Sequence, residues 1–241
     1  MCGRFTLTRK DFRELAAELG AEFEPSLERL YRPRYNIAPT DQHWIVREKQ
    51  EQRQLLAAHF GLINSWAKDA KQAARQINAR AETVHKAPAF REAFAKRRCI
   101  VPADGFFEWR GAKDARQPIW YHAPDGGLIF LAGVYESWKD PHGEWKRTFA
   151  IITTDANALI RPVHDRMPVV LPRDVVDEWL YVPPRNAEEH AEKVRRLLAP
   201  APEESLVATE VSTRANSVKN DDPAVLEPAH DRETAEAPRM L

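Results

Sequence analysis

A chain of 241 residues can bury a substantial core, and a composition of 43% hydrophobic and 30% charged residues fits a soluble globular protein and excludes general disorder. Its 36 Lys and Arg balance 36 Asp and Glu, so attraction for a polyanion has to come from where basic residues cluster and not from their total. No window offers roughly 18 uninterrupted apolar residues and the opening MCGRFTLTRK has no apolar signal core, so neither membrane insertion nor export is expected.

Taken in chain order, CGRFTL reads as a short strand, and residues 9–19 place Phe12, Leu15, Ala16 and Leu19 on one face of a helix that Gly20 ends. Residues 31–40 (YRPRYNIAPT), with two prolines, predict an extended loop, whereas HWIVR and QLLAAHFG predict paired strands. Short helices are expected over 66–75 and 88–96, on either side of INARAET. From Arg98 the pattern turns strand-rich. CIVPADGFFEW, QPIWYHA, LIFLAGVYESW and TFAIITTDA are apolar runs separated by Gly, Pro and Asp, the spacing of a mostly antiparallel sheet. Helices follow over 172–180 and 186–198, the second with Asn186 as its cap, and VATEVS returns as a strand. The stretch from Asp221 onward is polar, rich in proline and acid, and aperiodic. No linker or fixed-period repeat divides the chain. The expected fold is therefore α+β, a single domain over 1–222 with a curled, barrel-like, mostly antiparallel sheet flanked by helices, followed by a mobile tail over 223–241.

Only Cys2 and Cys99 carry thiols, which is no disulfide framework and points to a reducing compartment, with the cytoplasm as the default. Without a CxxC pair or HExxH, the scattered histidines do not make a metal site. Removal of Met1 would leave Cys2 as a 1,2-aminothiol, a group that condenses with aldehydes. The amine gives an imine and the thiol closes a five-membered thiazolidine, with almost no entropy lost in bringing the two nucleophiles together. Reference pKa values of about 7.7–8.0 for the amine and about 8.5 for the thiol leave each partly reactive near neutral pH. A small second residue also simply permits methionine trimming, so position alone does not decide.

In INARAET, Asn78 can donate and accept hydrogen bonds and Arg80 can grip a phosphate, although a loop cap beside a surface arginine reads as well. Glu108 in ADGFFEWR sits between Phe107 and Trp109, where a carboxylate needs a partner or a proton-transfer task unless it lies on the solvent face of its strand. His164 in RPVHDRMP, beside Asp165 and Arg166, is either a general acid–base group or a turn residue that caps the backbone. Arg4, Arg32, Arg34, Arg80, Arg97, Arg98 and Arg166, with Trp66, Phe106, Trp109 and Trp138, have the makings of a cationic groove with rings for single-stranded DNA, though any one ring reads equally as core.

In this order MCGRF, RYNIAP, INARAET, ADGFFEW, HDRMP and VSTRANSVKN resemble the SOS response-associated peptidase family, from Cys2 to about Asp222. The resemblance implies autocatalytic loss of Met1 and a positively charged channel that receives single-stranded DNA at an abasic site, whose sugar opens to an aldehyde. It implies that Cys2 forms the thiazolidine link, Asn78 orients the reacting groups, Glu108 moves protons in both steps, and His164 assists opening of the deoxyribose. By the same similarity Arg4, Arg80 and Arg166 are phosphate or sugar contacts, and Asn36, Pro39, Trp66, Trp109 and Thr153 line the DNA path. The sequence departs from the family at Asn64 in GLINSW, where proline is usual, and at Ala215, where a β-branched residue is common. No cofactor is implied, and the expected partner is single-stranded DNA carrying abasic sites, bound by a monomer. The residues by themselves also fit a thiol or N-terminal-nucleophile hydrolase acting on peptides, with Cys2, Glu108 and His164 in acyl transfer. A noncovalent single-strand binder with an incidental Cys2 fits them too.

Overall fold

Apolar residues at alternate positions dominate the chain, so strands carry its plan and the helices are short. The computed structural model describes residues 2–112 and 115–229. Its strands are β1 (Phe5–Leu7), β2 (Arg34–Ile37), β3 (Gln42–Lys49), β4 (Gln52–Phe60), β5 (Asn78–Arg80), β6 (Arg98–Ala103), β7 (Gly105–Arg110), β8 (Gln117–His122), β9 (Ile129–Lys139), β10 (Trp145–Asp155), β11 (Arg166–Pro168), β12 (Val170–Leu171) and β13 (Val207–Glu210). The helices are α1 (Phe12–Glu18), α2 (Arg91–Lys96), α3 (Val176–Leu180) and α4 (Ala187–Val194).

β3 and β4 run antiparallel from Gln42 opposite His59 to Lys49 opposite Gln52. β6 touches β3 at Val46 and Ile100 and pairs along its length with β9; β9 pairs with β10, and β10 returns to β4 in parallel through Thr148 and Phe149. The ring β3, β4, β10, β9, β6 is thereby closed, which leaves no free edge along it. Past Ile151 β10 parts from β9. There β11 pairs with β10 and β12 with β9, while β5 joins β10 in parallel.

The second sheet has the order β13, β8, β7, β1, β2 and is antiparallel throughout. One face packs on the barrel: the Phe5 ring meets His43 at 4.7 Å and Phe60 at 5.3 Å, and Phe106 stacks on Tyr121 at 5.4 Å. His43 bonds the Pro102 carbonyl at 2.9 Å, and burial pulls its pKa down to about 3, so the ring stays neutral. The opposite face carries Phe107, Trp109 and Trp120 and is covered by Val211, Ala215, Val225 and Leu226. The residues after β13 thus form a strap across the outer face of this sheet.

The α+β architecture with a barrel-like, mostly antiparallel sheet is as expected, and several elements differ in detail. Asp11 caps α1 by accepting from the Arg13 and Glu14 N–H groups, and Gly20 at φ 59 follows its end. Residues 31–40 are not all loop, because Pro33 and Pro39 bracket β2 without interrupting it, and Ile37 pairs with Phe5. Within 66–75 the helical part is a 3-10 turn at Ala73–Arg75. INARAET contributes β5, which only its pairing with β10 could define. Residues 172–180 form a 3-10 turn at Arg173–Val175 and then α3, and 186–198 form α4 followed by a turn at Arg195–Leu197. Asn186 stands before α4 in a left-handed conformation, φ 58, with no side-chain capping bond. The expected tail begins too early. Pro223–Val225 form a 3-10 turn capped by Asp222, Val225 is buried, and Val211 bridges to Pro228, so residues 223–229 belong to the fold. Residues 230–241 lie outside the described residues.

Candidate active site

Strand pairing gathers residues from distant parts of the sequence around Cys2. This residue precedes β1 and is fully buried. The Phe107 N–H donates to the Arg4 carbonyl at 2.9 Å, extending the β1–β7 ladder toward the amino end and setting Glu108 beside it. Alternation on β7 turns Phe107 and Trp109 outward under the strap and Glu108 to the opposite side, where its side chain is buried. Asn78, at the start of β5, donates from Nδ2 to the Cys2 carbonyl at 3.1 Å. Its Oδ1 is buried and has no hydrogen-bond partner among the described residues.

Burial holds the Glu108 carboxyl above the usual carboxylate range, while the nearby His164 ring pulls it the other way. Burial, and then the Glu108 charge, push the Cys2 thiol well above its ordinary value. A carboxylate and a thiol thus sit close enough to feel each other in a desolvated site. His164 Nδ1 accepts the Arg166 N–H at 2.9 Å, which places the proton of the neutral ring on Nε2. Asp165 stands 3.0 Å from the same Nδ1, placed to pair with the ring when it is charged.

Glu108 and His164 line a cleft of about 660 Å³ together with Gly3, Arg4, Pro39, Trp109, Arg116, Asn216 and Val218. The Arg4 guanidinium lies 5.5 Å over the Trp109 ring, and Trp109 Nε1 donates to Asn216 Oδ1 at 2.7 Å. The model of the SOS response associated peptidase (SRAP) family matches residues 1–218. The chain is a member of the SRAP family. It is 37% identical over 229 residues to the abasic site processing protein YoqW of Bacillus subtilis, covering 94% of this chain and 99% of that one. The abasic site processing protein YedK of Escherichia coli is 33% identical over 184 residues, 75% of this chain and 79% of its own. The abasic site processing protein HMCES of Gallus gallus is 30% identical over 230 residues, 82% and 67%. A crystal structure of a protein from Bacteroides thetaiotaomicron superposes with a TM-score of 0.81 at 28% identity, covering 95% of this chain and all of that one.

Within this SRAP fold the expected site residues divide into two groups. Cys2, Asn78, Glu108 and His164 come together, and Arg4, Pro39 and Trp109 line the cleft with Glu108 and His164. Arg80 is exposed on β5, and Trp66 is 71% exposed in the loop before it. Asn36 and Thr153, expected along a DNA path, are instead buried: Asn36 lies behind Arg4, and the Thr153 hydroxyl faces the Ala79 carbonyl at 3.5 Å. Arg166 is held by both oxygens of Glu82 at 2.7 and 3.0 Å, by Asp155 at 2.8 Å and by the Thr153 carbonyl.

The broader basic groove does not assemble as expected. Arg32 and Arg34 pair with Asp221, Arg97 pairs with Glu136, and Arg98 is buried, donating to the carbonyls of Phe94, Ala95, Trp179 and Tyr181. Phe106 and Trp138 are core residues. Sequence reasoning missed Arg116, Asn216 and Val218 in the cleft. The last two lie within VSTRANSVKN, where the run itself was the signal, whereas nothing around Arg116 marked it. Of the departures from the family pattern, Asn64 ties its loop to the Ala89 carbonyl at 2.6 Å, and Ala215 is a buried residue of the strap itself. No helix among the described residues is long and apolar enough to cross a membrane, and no group of three or more His, Cys, Asp or Glu among them is placed to hold a metal ion.

Proposed function

We propose that this protein processes abasic sites in single-stranded DNA by linking them covalently to Cys2 after it has removed its own Met1. The bond from Asn78 to the carbonyl of Cys2, whose thiol feels the Glu108 charge as Glu108 feels His164, is the observation that carries this reading. The shared names of the curated relatives support the same substrate.

In the first step water adds to the carbonyl of the Met1–Cys2 peptide bond. Glu108 takes a proton from that water and delivers it to the departing Cys2 nitrogen, which releases methionine and frees the α-amine. In the second step the deoxyribose opens, with His164 Nε2–H placed to protonate the ring oxygen, and exposes the C1′ aldehyde. The amine adds to C1′ and water leaves, giving an imine. The Cys2 sulfur then bonds C1′ while its proton passes to nitrogen, by way of Glu108, to close the thiazolidine. Aldehyde and aminothiol become thiazolidine and one water. A carboxyl held above its usual range suits proton exchange near neutral pH. Asn78 keeps the Cys2 backbone from rotating, and Arg4 and Arg80 offer charge to phosphates while Trp109 and Trp66 offer rings to bases. Arg166 joins them only by exchanging its carboxylate partners for a phosphate.

The test is a denaturing gel of the protein incubated with a single-stranded oligonucleotide that carries one abasic site. A slow band that is absent with Cys2→Ala is the expected result, together with an intact mass lower by one methionine that Glu108→Ala restores. Turnover of peptide substrates with no slow band would establish a hydrolase in its place.

A further inference from the structure

Asn36 on β2 is fully buried and directs its whole side chain at its neighbours. Oδ1 accepts from Arg4 Nη1 at 2.7 Å, and Nδ2 faces the carbonyls of Ala215, Ser217 and Asn220 at 3.3, 3.0 and 2.9 Å. Carbonyls can be met only by the amide NH2, so the orientation of the side chain is fixed and its oxygen must point at the guanidinium. The Ala215 carbonyl accepts from the same Arg4 Nη1 at 3.0 Å. The Arg4 head is therefore pinned at one nitrogen and seated over Trp109, in a residue that lines the cleft. Asn36 is itself held from behind. Asp221 Oδ1 accepts the backbone N–H groups of Tyr35 and Asn36 at 2.7 and 3.0 Å, and its other oxygen takes Arg34. Asp221 lies beyond residue 218, where the family match ends.

We infer that Asn36 is a positioning residue, which touches no DNA and instead presents Arg4 to a backbone phosphate, with Asp221 as the latch that keeps it in place. The inference rests on the proposed binding of single-stranded DNA in this cleft. A long flexible cation loses less on binding when its rotamer is already set, so the benefit of Asn36 passes entirely through Arg4.

The experiment is a double-mutant cycle read by fluorescence anisotropy on a single-stranded oligonucleotide with a tetrahydrofuran abasic analogue. The analogue has no aldehyde, so the covalent step does not enter. Arg4→Ala and Asn36→Ala should each weaken binding about tenfold and lower the salt slope by about 0.7, the share of one phosphate. The double variant should bind within about twofold of Arg4→Ala alone. Multiplying effects, an unchanged slope for Asn36→Ala, or Arg4→Ala binding as tightly as the parent protein overturns the inference. Should Asn36→Ala not fold, Asp221→Asn carries the cycle: the Arg4→Ala background should absorb at least half of its effect in free energy, and full additivity overturns it. Failure of the abasic-site reading is seen separately, as no slow band on a true abasic oligonucleotide while this cycle still holds.

Discussion

In the proposed mechanism Glu108 is the residue that most directly trades stability for chemistry. Its carboxyl is buried and titrates above the ordinary range of about 4.3. A group whose folded pKa is raised favours the fold fully below its unfolded pKa, and that contribution is lost as pH rises through the folded value. At neutral pH the buried charge is therefore a burden, and Glu108→Gln should be more stable than the parent protein. The expected gain is on the order of 1 kcal/mol, or about 2–4 °C in Tm, shrinking to nothing below about pH 4, as calorimetry across pH would check. The same variant should retain its methionine. In the parent protein, acidification should slow methionine loss from a pH above the usual carboxylate range, because the proton acceptor is then already filled; a rate flat down to about pH 4 would remove Glu108 from that role. From the sequence, alternation alone favours Glu108 on the solvent face of its strand over Glu108 in a site. Alternation puts it opposite Phe107 and Trp109, but which side is covered depends on the barrel behind β7 and on a strap a hundred residues later.

At the scale of elements, long strands could be read and short ones could not. β3 with β4, and the runs from β6 to β10, carry enough alternating apolar residues to declare themselves. β2 and β5 are only a few residues long and exist because β1 and β10 offer edges to them, which is information held elsewhere in the chain. The arginines misled for the same reason: the carboxylates that engage Arg34, Arg97 and Arg166 lie far away in sequence or on another strand. Gly105 in ADGFFEW is explained by the strand next to it. A Cβ there would lie 2.1 Å from Trp120 Nε1 and 2.8 Å from the Tyr121 carbonyl. Gly105→Ala must displace Trp120 from its 4.0 Å stack on His122 and from its bond to Thr6, and should destabilise by about 1–3 kcal/mol in urea unfolding. A variant that unfolds at the parent's midpoint would show that the two strands can part without loss.

For the molecule as a whole, the strap matters more than its composition implied. Proline and acid from Asp221 onward hid a buried Val225, a half-buried Leu226 and the bridge from Val211 to Pro228. Ending the chain at Asp222 should lower stability by about 2–4 kcal/mol, chiefly through the lost apolar burial, and should loosen Trp109, giving a larger red shift in tryptophan emission. Equal stability of the shortened and full chains would mean that residues 223–229 only decorate the sheet.

β1 lies between β2 and β7, and the segment behind Arg4 is fastened by Asp221. A nascent polypeptide therefore leaves the ribosome with its first residues unpaired until β7 has followed, and the fastening at Asp221 comes only when nearly all the rest has been translated. Methionine excision as proposed, with Glu108 moving the proton, cannot begin before β7 is made and paired with β1. In the proposed mechanism the reactive amine stays masked until that carboxylate is in place, and so is unveiled only in a chain folded enough to shelter it.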